Sequence, residues 1–298
     1  MLLTFISLSI NRKNVLLLNH KRNKHMYLKY FFVLYCLFCS FYASGQSYEQ
    51  WLDLYFTHIE MDSLEAAEQD LKQALKKDPT NIQNSMLLSN LGTIQRRLGK
   101  NEDALVSYNS ALSILPNSTV FLMNRAALFA EMNRMDDALN DYSRVLSLDG
   151  KIQDAYYLRG LVYIEKKDTV SALYDFNRLL KINPNSSNGR LGLAAIHKLK
   201  REYAKSIYLY TEVLKQNPTK ASIYASRSET YLLDGKPKKA LEDINKAISL
   251  KENDPLFFYI RARVFLALYE KENAKTDLGK AQNLGFDEEL IDLILKQL

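Results

Sequence analysis

The chain has 298 residues, of which 47% are apolar and 25% are charged, with only 10 Gly and 6 Pro. This composition excludes collagen-like, low-complexity and wholly disordered proteins. The formal charge is +6, but residues 1–45 hold six basic side chains and no acidic one, so 34 basic and 34 acidic residues remain in 46–298. The rest of the chain is therefore formally neutral and lacks the basic field typical of nucleic-acid binding.

The N-terminal segment 1–45 has the layout of an export signal. Residues 30–43 form an uncharged apolar run behind basic residues, and Ala43 and Gly45 supply small residues for cleavage after Gly45. The run spans about 21 Å as a helix, which is short for a membrane crossing. Met26 is an alternative translation start, and a buried helix or an uncleaved membrane anchor are alternatives to the signal.

Cysteine chemistry is confined to this segment. Cys36 and Cys39 are the two cysteines of the chain, so residues 46–298 contain no disulfide and no thiol ligand. Directly behind the predicted cleavage site, Ser47 and Gln50 form a capping-box pattern that predicts the start of a helix.

Residues 48–288 repeat with a period of 34. The clearest copy, 153–186, has Tyr156, Gly160, Tyr163, Phe176 and Pro184. Most other copies have similar residue types at these positions, although 221–254 and 255–288 lack the Pro. This spacing resembles the tetratricopeptide repeat (TPR) pattern W-x2-L-G-x2-Y…A-x3-F…P. The copies, each called by its range below, are 48–81, 85–118, 119–152, 153–186, 187–220, 221–254 and 255–288.

The resemblance implies an all-α fold: a right-handed α–α superhelix (solenoid) of seven TPR-like helix-turn-helix repeats. A single helix pair cannot bury its apolar face alone, so stacked pairs need a terminal cap. Residues 287–298 supply a predicted capping helix, with Asp287 as N-cap and Leu290, Ile291, Ile294, Leu295 and Leu298 on one apolar face.

Comparison of the copies shows a linked pair of charges. In four copies, the third residue after the first aromatic or apolar position of the repeat is Arg, and the residue 16 positions after that Arg is Asp. Two other copies have Leu91 or Leu193 in place of the Arg, and Ser107 or Leu209 in place of the Asp. Asp70 alone lacks an Arg. We expect structural ion pairs between the two helices of one copy, at Arg125 with Asp141, Arg159 with Asp175, Arg227 with Asp243, and Arg261 with Asp277.

Catalytic signatures are absent from the sequence. It contains no H-E-x-x-H, G-x-x-x-x-G-K-[ST], G-x-G-x-x-G or G-x-S-x-G motif. His58 and His197 occupy the same aromatic slot of their copies, which favours packing over ligation. We therefore expect no enzyme activity, no catalytic or metal site and no cofactor.

The resemblance assigns ligand binding to the concave face, which the first helix of each pair lines. Side-chain amides there, such as Asn90 and Asn124, can donate to and accept from a peptide backbone at once. The predicted peptide-groove residues are Phe56, Ser89, Asn90, Thr93, Met123, Asn124, Ala127, Tyr157, Leu161, Leu191, Ala195, Glu229, Tyr259 and Arg263.

Together these features predict an exported, non-catalytic protein-interaction scaffold that is periplasmic or secreted and belongs to the cell envelope. Its partner would be a protein or peptide held in the groove, not a nucleic acid, and it would meet a membrane only through a retained signal segment. The alternative is a regulatory or assembly subunit of a cell-envelope complex that binds through the convex face or the ends.

Overall fold

The computed structural model describes residues 46–296, so the predicted export segment 1–45 and Leu298 lie outside the described residues. The described part is all α-helical, with 15 helices and no strand. The chain divides into two compact units between Asn81 and Ile82. This boundary lies directly after the first copy, 48–81.

The first unit contains α1 (Tyr48–Glu60) and α2 (Leu64–Lys77), which pack against each other. The capping box at the start of α1 is confirmed. The Ser47 hydroxyl accepts from the backbone N–H of Gln50, and the Gln50 side chain accepts from the backbone N–H of Ser47 at 2.8 Å. Ala67, Leu71 and Ala74 on α2 are fully buried.

The second unit continues with six further helix pairs and one terminal helix. The first helix of each pair is α3, α5, α7, α9, α11 or α13, and the second helix is the even-numbered helix that follows. The bounds are α3 (Asn84–Arg97), α4 (Asn101–Ile114), α5 (Thr119–Glu131), α6 (Met135–Leu148), α7 (Gln153–Glu165), α8 (Thr169–Ile182), α9 (Ser187–Leu199), α10 (Tyr203–Gln216), α11 (Ala221–Leu233), α12 (Pro237–Leu250), α13 (Pro255–Ala267), α14 (Lys271–Asn283) and α15 (Glu288–Leu295).

The turn inside each pair uses one residue in the left-handed region. The φ of these turn residues lies between 54° and 73°, and within the second unit the turn position recurs every 34 residues. Glycine adopts this conformation without strain, whereas residues with a side chain incur a steric cost. The turn residues are Asp62, Gly99, Asn133, Lys167, Arg201, Gly235 and Tyr269.

Within the second unit, the core forms where an aromatic residue of one second helix meets glycines on first helices. Phe176 on α8 is fully buried, and a Cβ added at Gly160 on α7 would lie 2.7 Å from its ring. A Cβ at Gly192 on α9 would meet the same ring at an even closer approach. The repeat pattern predicts a small residue at Gly160. Gly192 lies one residue before Leu193, which occupies the Leu position of the pattern, so the pattern does not predict the contact between Gly192 and Phe176.

The terminal helix α15 packs against α14 at the end of the second unit, but fewer of its apolar residues are buried than expected. Asp287 is the N-cap, because its side chain accepts from the backbone N–H of Leu290 at 3.1 Å. Ile291 and Ile294 are buried, whereas Leu290 and Leu295 are exposed. The prediction that these two leucines face the core is wrong, because one helix of eight residues presents only one narrow stripe to α14.

In the second unit, successive first helices also touch one another. Contacts join α3 to α5, α5 to α7, α7 to α9, and α11 to α13. We call this set of helices the first-helix row. Among the described residues, no helix has both the length and the apolar character required to span a bilayer.

Candidate functional site

The predicted groove residues lie on first helices. Phe56 is on α1 of the first unit, where it is 57% exposed and its ring centroid lies 4.9 Å from that of Tyr55. The others belong to the first-helix row of the second unit. Most of these are half-buried, as expected of side chains lining a surface, but Ser89 is only 3% exposed. Ser89 is thus covered by the protein itself, and its prediction as a lining residue is wrong.

Hydrogen bonds within the row explain why Ser89 is covered. Asn124 on α5 donates from its amide to the Ser89 hydroxyl at 3.2 Å, and Thr93 donates to the Ser89 backbone carbonyl at 3.0 Å. The Thr93 hydroxyl also lies 3.0 Å from the Tyr108 hydroxyl. One N–H of Asn124 is therefore used to join α5 to α3, and Thr93 helps to anchor α4 beneath the row.

Two tyrosines lie in the middle and at the C-terminal end of the first-helix row. Tyr157 on α7 lies half-buried with its ring centroid 6.2 Å from that of Phe176, and burial raises the pKa of its hydroxyl. Tyr259 on α13 stacks on Phe286 at 4.6 Å, with the Arg263 guanidinium 5.9 Å from its centroid. Both tyrosines are therefore fixed by neighbours while part of each ring stays accessible.

A chain of charges joins three successive first helices. Glu229 on α11 accepts from Lys198 on α9 at 2.7 Å and from Arg263 on α13 at 3.2 Å. Burial raises the pKa of Glu229, but the two cations outweigh it and leave the pKa below its ordinary value. The net charge of this trio is +1. Below it, burial raises the pKa of Tyr210 to about 12, and a hydrogen bond with Ser226 opposes only part of that shift.

The arginine and aspartate of each predicted pair meet within one copy. In each case the guanidinium donates from Nε and Nη2 to both carboxylate oxygens, a bidentate geometry that suits the two planar groups. For Arg159 and Asp175 the two distances are 2.8 and 2.7 Å, and Asp175 is fully buried. The other three pairs are Arg125–Asp141, Arg227–Asp243 and Arg261–Asp277, with distances between 2.6 and 2.9 Å.

Solved structures are similar to this chain over most of its length. A tetratricopeptide repeat protein from Parabacteroides merdae ATCC 43184 is 38% identical; the alignment covers 85% of this chain and 98% of that one, with a TM-score of 0.76. The chain belongs to the tetratricopeptide repeat family. Family models described as tetratricopeptide repeat match residues 123–187 and 221–254 of this TPR protein.

Two more distant structures share the TPR fold. The APC/C hetero-tetramer Cut9–Hcn1 is 16% identical, with a TM-score of 0.67 over 83% of this chain and 48% of that chain. A thermophilic TPR protein in Thermus thermophilus is 20% identical, with a TM-score of 0.53 over 62% of this chain and 99% of that chain. A search of curated proteins finds no match.

TPR folds generally serve as protein-interaction scaffolds that bind proteins or peptides, and they are typically non-catalytic. Within residues 46–296 no group of three or more His, Cys, Asp or Glu side chains is placed to hold a metal ion. His197 bonds through Nδ1 to Glu202 at 2.9 Å. His58 is buried, and its Nδ1 lies 2.5 Å from Asp70, so the aspartate that lacks an arginine has a histidine partner from the same copy.

The paired arginines of this TPR protein make a further hydrogen bond that was not predicted from the sequence. The third nitrogen, Nη1, donates to a polar side chain on the second helix of the preceding copy, 16 residues before the arginine. The acceptors are Asn109 for Arg125, Ser143 for Arg159, Thr211 for Arg227, and Asn245 for Arg261, at 2.7–2.9 Å. Each arginine therefore connects three helices from two copies. The signal was present in the sequence, because every one of the four arginines has a side-chain acceptor at that spacing.

Proposed function

We propose that the first-helix row of the second unit binds an extended or helical segment of a protein partner. The observation that carries the proposal is the continuity of half-buried polar and aromatic side chains along successive first helices. Polar side chains on such a surface can hydrogen-bond the backbone of the partner, so that binding does not leave its buried N–H and C=O groups unpaired.

Two kinds of contact would hold the segment. Tyr157 and Tyr259 supply amphipathic rings whose neighbours already restrict their rotation, so less side-chain entropy is lost on binding. Asn90 and Asn124 supply amide groups for the backbone of the segment. The trio of Lys198, Glu229 and Arg263 adds a net positive charge, which favours an acidic stretch of the partner at that end.

The experiment replaces Tyr157, Asn90 and Asn124 together by Ala in the full chain. The partner is first identified by crosslinking in the native cells followed by mass spectrometry, and its binding to purified protein is then measured. We expect the triple variant to bind at least about tenfold more weakly. The matched control replaces the exposed second-helix residues Asn140 and Glu242 by Ala and should bind normally. Equal binding by the triple variant, or loss in the control only, would assign the partner to the convex side instead.

We further propose that residues 1–45 direct export of this scaffold to the periplasm or cell envelope. The basic residues, the apolar run and the small residues before Gln46 support this proposal. N-terminal sequencing of the protein from the envelope fraction should find a chain that begins at Gln46. A chain that keeps Met1 or Met26, or that stays in the cytoplasmic fraction, contradicts cleavage or export respectively.

A further inference from the structure

The series of Arg–Asp pairs is interrupted in the copy 187–220. Leu193 takes the place of the arginine on α9, and Leu209 takes the place of the aspartate on α10. Between these helices lies an open cleft of about 420 Å³, lined by Leu193, His197, Ala204, Lys205, Tyr208 and Leu209. We call it the α9–α10 cleft. Its volume lies within the range of sites that hold small ligands or a few side chains.

The acceptor that an arginine would use is still present in the preceding copy. Asn177 on α8 stands 16 residues before Leu193, as Asn109, Ser143, Thr211 and Asn245 stand before the four arginines. The site therefore keeps the surroundings of an Arg–Asp pair but has apolar side chains at its centre. Because neither leucine is fully buried, the exchange leaves an apolar depression and not an additional part of the core.

Exposed apolar residues are found on the cleft wall and on the second helix of the preceding copy. Tyr208, on the wall of the cleft, is 63% exposed, and Tyr174, at the same position of the preceding copy, is 60% exposed. Val170, one turn before Tyr174 on α8, is 76% exposed. An exposed aromatic ring on the wall of a cleft is typical of surfaces that bind another protein.

Basic residues outnumber acidic ones in 200–209, the segment that leads into α10 and supplies one wall of the cleft. Lys205 lies on its wall, and the preceding turn carries exposed Lys200 and Arg201, whereas Glu202 is the one acidic residue in 200–209. Glu202 accepts from Lys205 at 2.7 Å and contacts His197, so it neutralises only part of this positive charge. An acidic partner fits this surface better than a basic one.

The cleft also lies away from the proposed groove. Leu191 and Ala195 belong to the predicted groove face of α9, and each is two residues before a lining residue of the cleft, Leu193 or His197. Two residues on an α-helix are separated by about 200° around its axis. The cleft and the groove therefore lie on different sides of α9, and both could be occupied at once.

We propose that the α9–α10 cleft is a second docking site, which takes a bulky apolar side chain of a protein partner with an acidic residue next to it. The apolar side chain covers Leu193, Leu209 and Tyr208, and the carboxylate lies against Lys205 and the basic turn. The area of one such cleft is small, so the site contributes a short linear contact that adds to binding elsewhere on the chain.

The variant that tests the site is Leu193→Arg combined with Leu209→Asp in the full chain. It recreates the pair found in four other copies, with Asn177 as the acceptor for the third nitrogen, and it fills the cleft with charged groups. We therefore expect it to fold with an unchanged circular dichroism spectrum. A fold-independent check is Tyr208→Ser, which removes only an exposed ring from the wall.

A displayed library of short random peptides is selected on the wild-type chain, and the enriched peptides are then measured on each variant. We expect one group of peptides to carry an aromatic or branched apolar residue beside Asp or Glu and to bind the double variant about tenfold more weakly or worse. The same peptides should bind the groove variant Tyr157→Ala normally. Peptides for the groove should behave in the opposite way, so failure of one site is distinguishable from failure of the other.

Three results would overturn the proposal. In the first, no enriched peptide distinguishes the wild-type chain from both the double variant and Tyr208→Ser. In the second, the distinguishing peptides are basic, which contradicts the stated partner chemistry. In the third, sedimentation shows that the wild-type chain self-associates and the double variant does not, which makes a second copy of this chain the occupant of the cleft.

Discussion

The neighbouring copies 153–186 and 187–220 have the same helix–turn–helix arrangement but opposite chemistry between their two helices. In the first, Arg159 and fully buried Asp175 join α7 to α8. In the second, Leu193 and Leu209 line an open cleft. The helix pair thus forms without the ion pair, so the residues at these two positions can differ between copies.

What the two copies share is the packing of Phe176. Its ring lies against Gly160 of its own copy and Gly192 of the next one, and both glycines leave no room for a side chain. The copies differ in how charge connects them to their neighbours. Arg159 reaches back to Ser143 of the preceding copy, whereas Lys198 in 187–220 reaches forward to Glu229 of the following copy.

The largest expected effect comes from breaking the pair in 153–186. Arg159→Leu leaves the buried Asp175 carboxylate without its cation, and we expect the free energy of unfolding to fall by about 3–5 kcal/mol. The double variant Arg159→Leu with Asp175→Leu reproduces the chemistry of 187–220. It should lie within about 1 kcal/mol of the wild type, because no buried charge is left unpaired. Urea unfolding followed by circular dichroism measures both, and a double variant as unstable as the single one would show that the pair itself stabilises the fold.

A smaller loss is expected at the contact that the two copies share. Gly192→Ala forces a methyl group against the buried Phe176 ring, and overpacking of this kind costs about 1–3 kcal/mol. The matched control is Gly279→Ala in α14, where no neighbouring heavy atom lies within 4 Å of the added Cβ. That control should gain up to about 1 kcal/mol, because alanine favours the helix. If both alanine variants become more stable by urea unfolding, the close Gly192–Phe176 approach is not needed.

The smallest effect concerns the forward connection from Lys198. The folded pKa of Glu229 is lowered, so its contribution to stability is present above its ordinary pKa of 4.5 and is lost as the pH falls through the lower folded value. At pH 7 the variant Glu229→Gln should be less stable by about 1 kcal/mol or less. In thermal unfolding from pH 7 downward, the difference between the variant and the wild type should begin to shrink near pH 4.5 and vanish once the pH has fallen through the lowered pKa of folded Glu229. A difference that is constant with pH would mean that Glu229 acts through packing and not through its charge.

Much of the fold could be predicted because the information lies in local spacing. A 34-residue period with small, aromatic and Pro positions indicates paired helices, and the turn residues with positive φ recur at that same period from Gly99 to Tyr269. Correlated exchange of Arg and Asp between copies pointed to the contact between Arg159 and Asp175. Such regularities can be detected in a single chain because every copy packs its two helices in the same way, so the copies can be compared with one another.

The candidate site was less predictable because exposure depends on neighbouring copies. Ser89 lies at a position expected to line the groove, yet Asn124 of the next copy covers it. Leu290 and Leu295 belong to an apolar pattern, yet α15 buries only the stripe that meets α14. A pattern along one helix shows which residues share a face, but not how much of that face a neighbour covers.

The sequence by itself determined the repeat, the all-α fold, the neutrality of residues 46–298 and the choice of Arg159 and Asp175 as partners. Only the tertiary structure decided that each such arginine also connects to the preceding copy, that Glu229 joins Lys198 to Arg263, and that Leu193 and Leu209 leave a cleft. The reason is geometric. Periodicity is a property of one chain segment, whereas contacts between copies and the space left between helices depend on how the segments are packed.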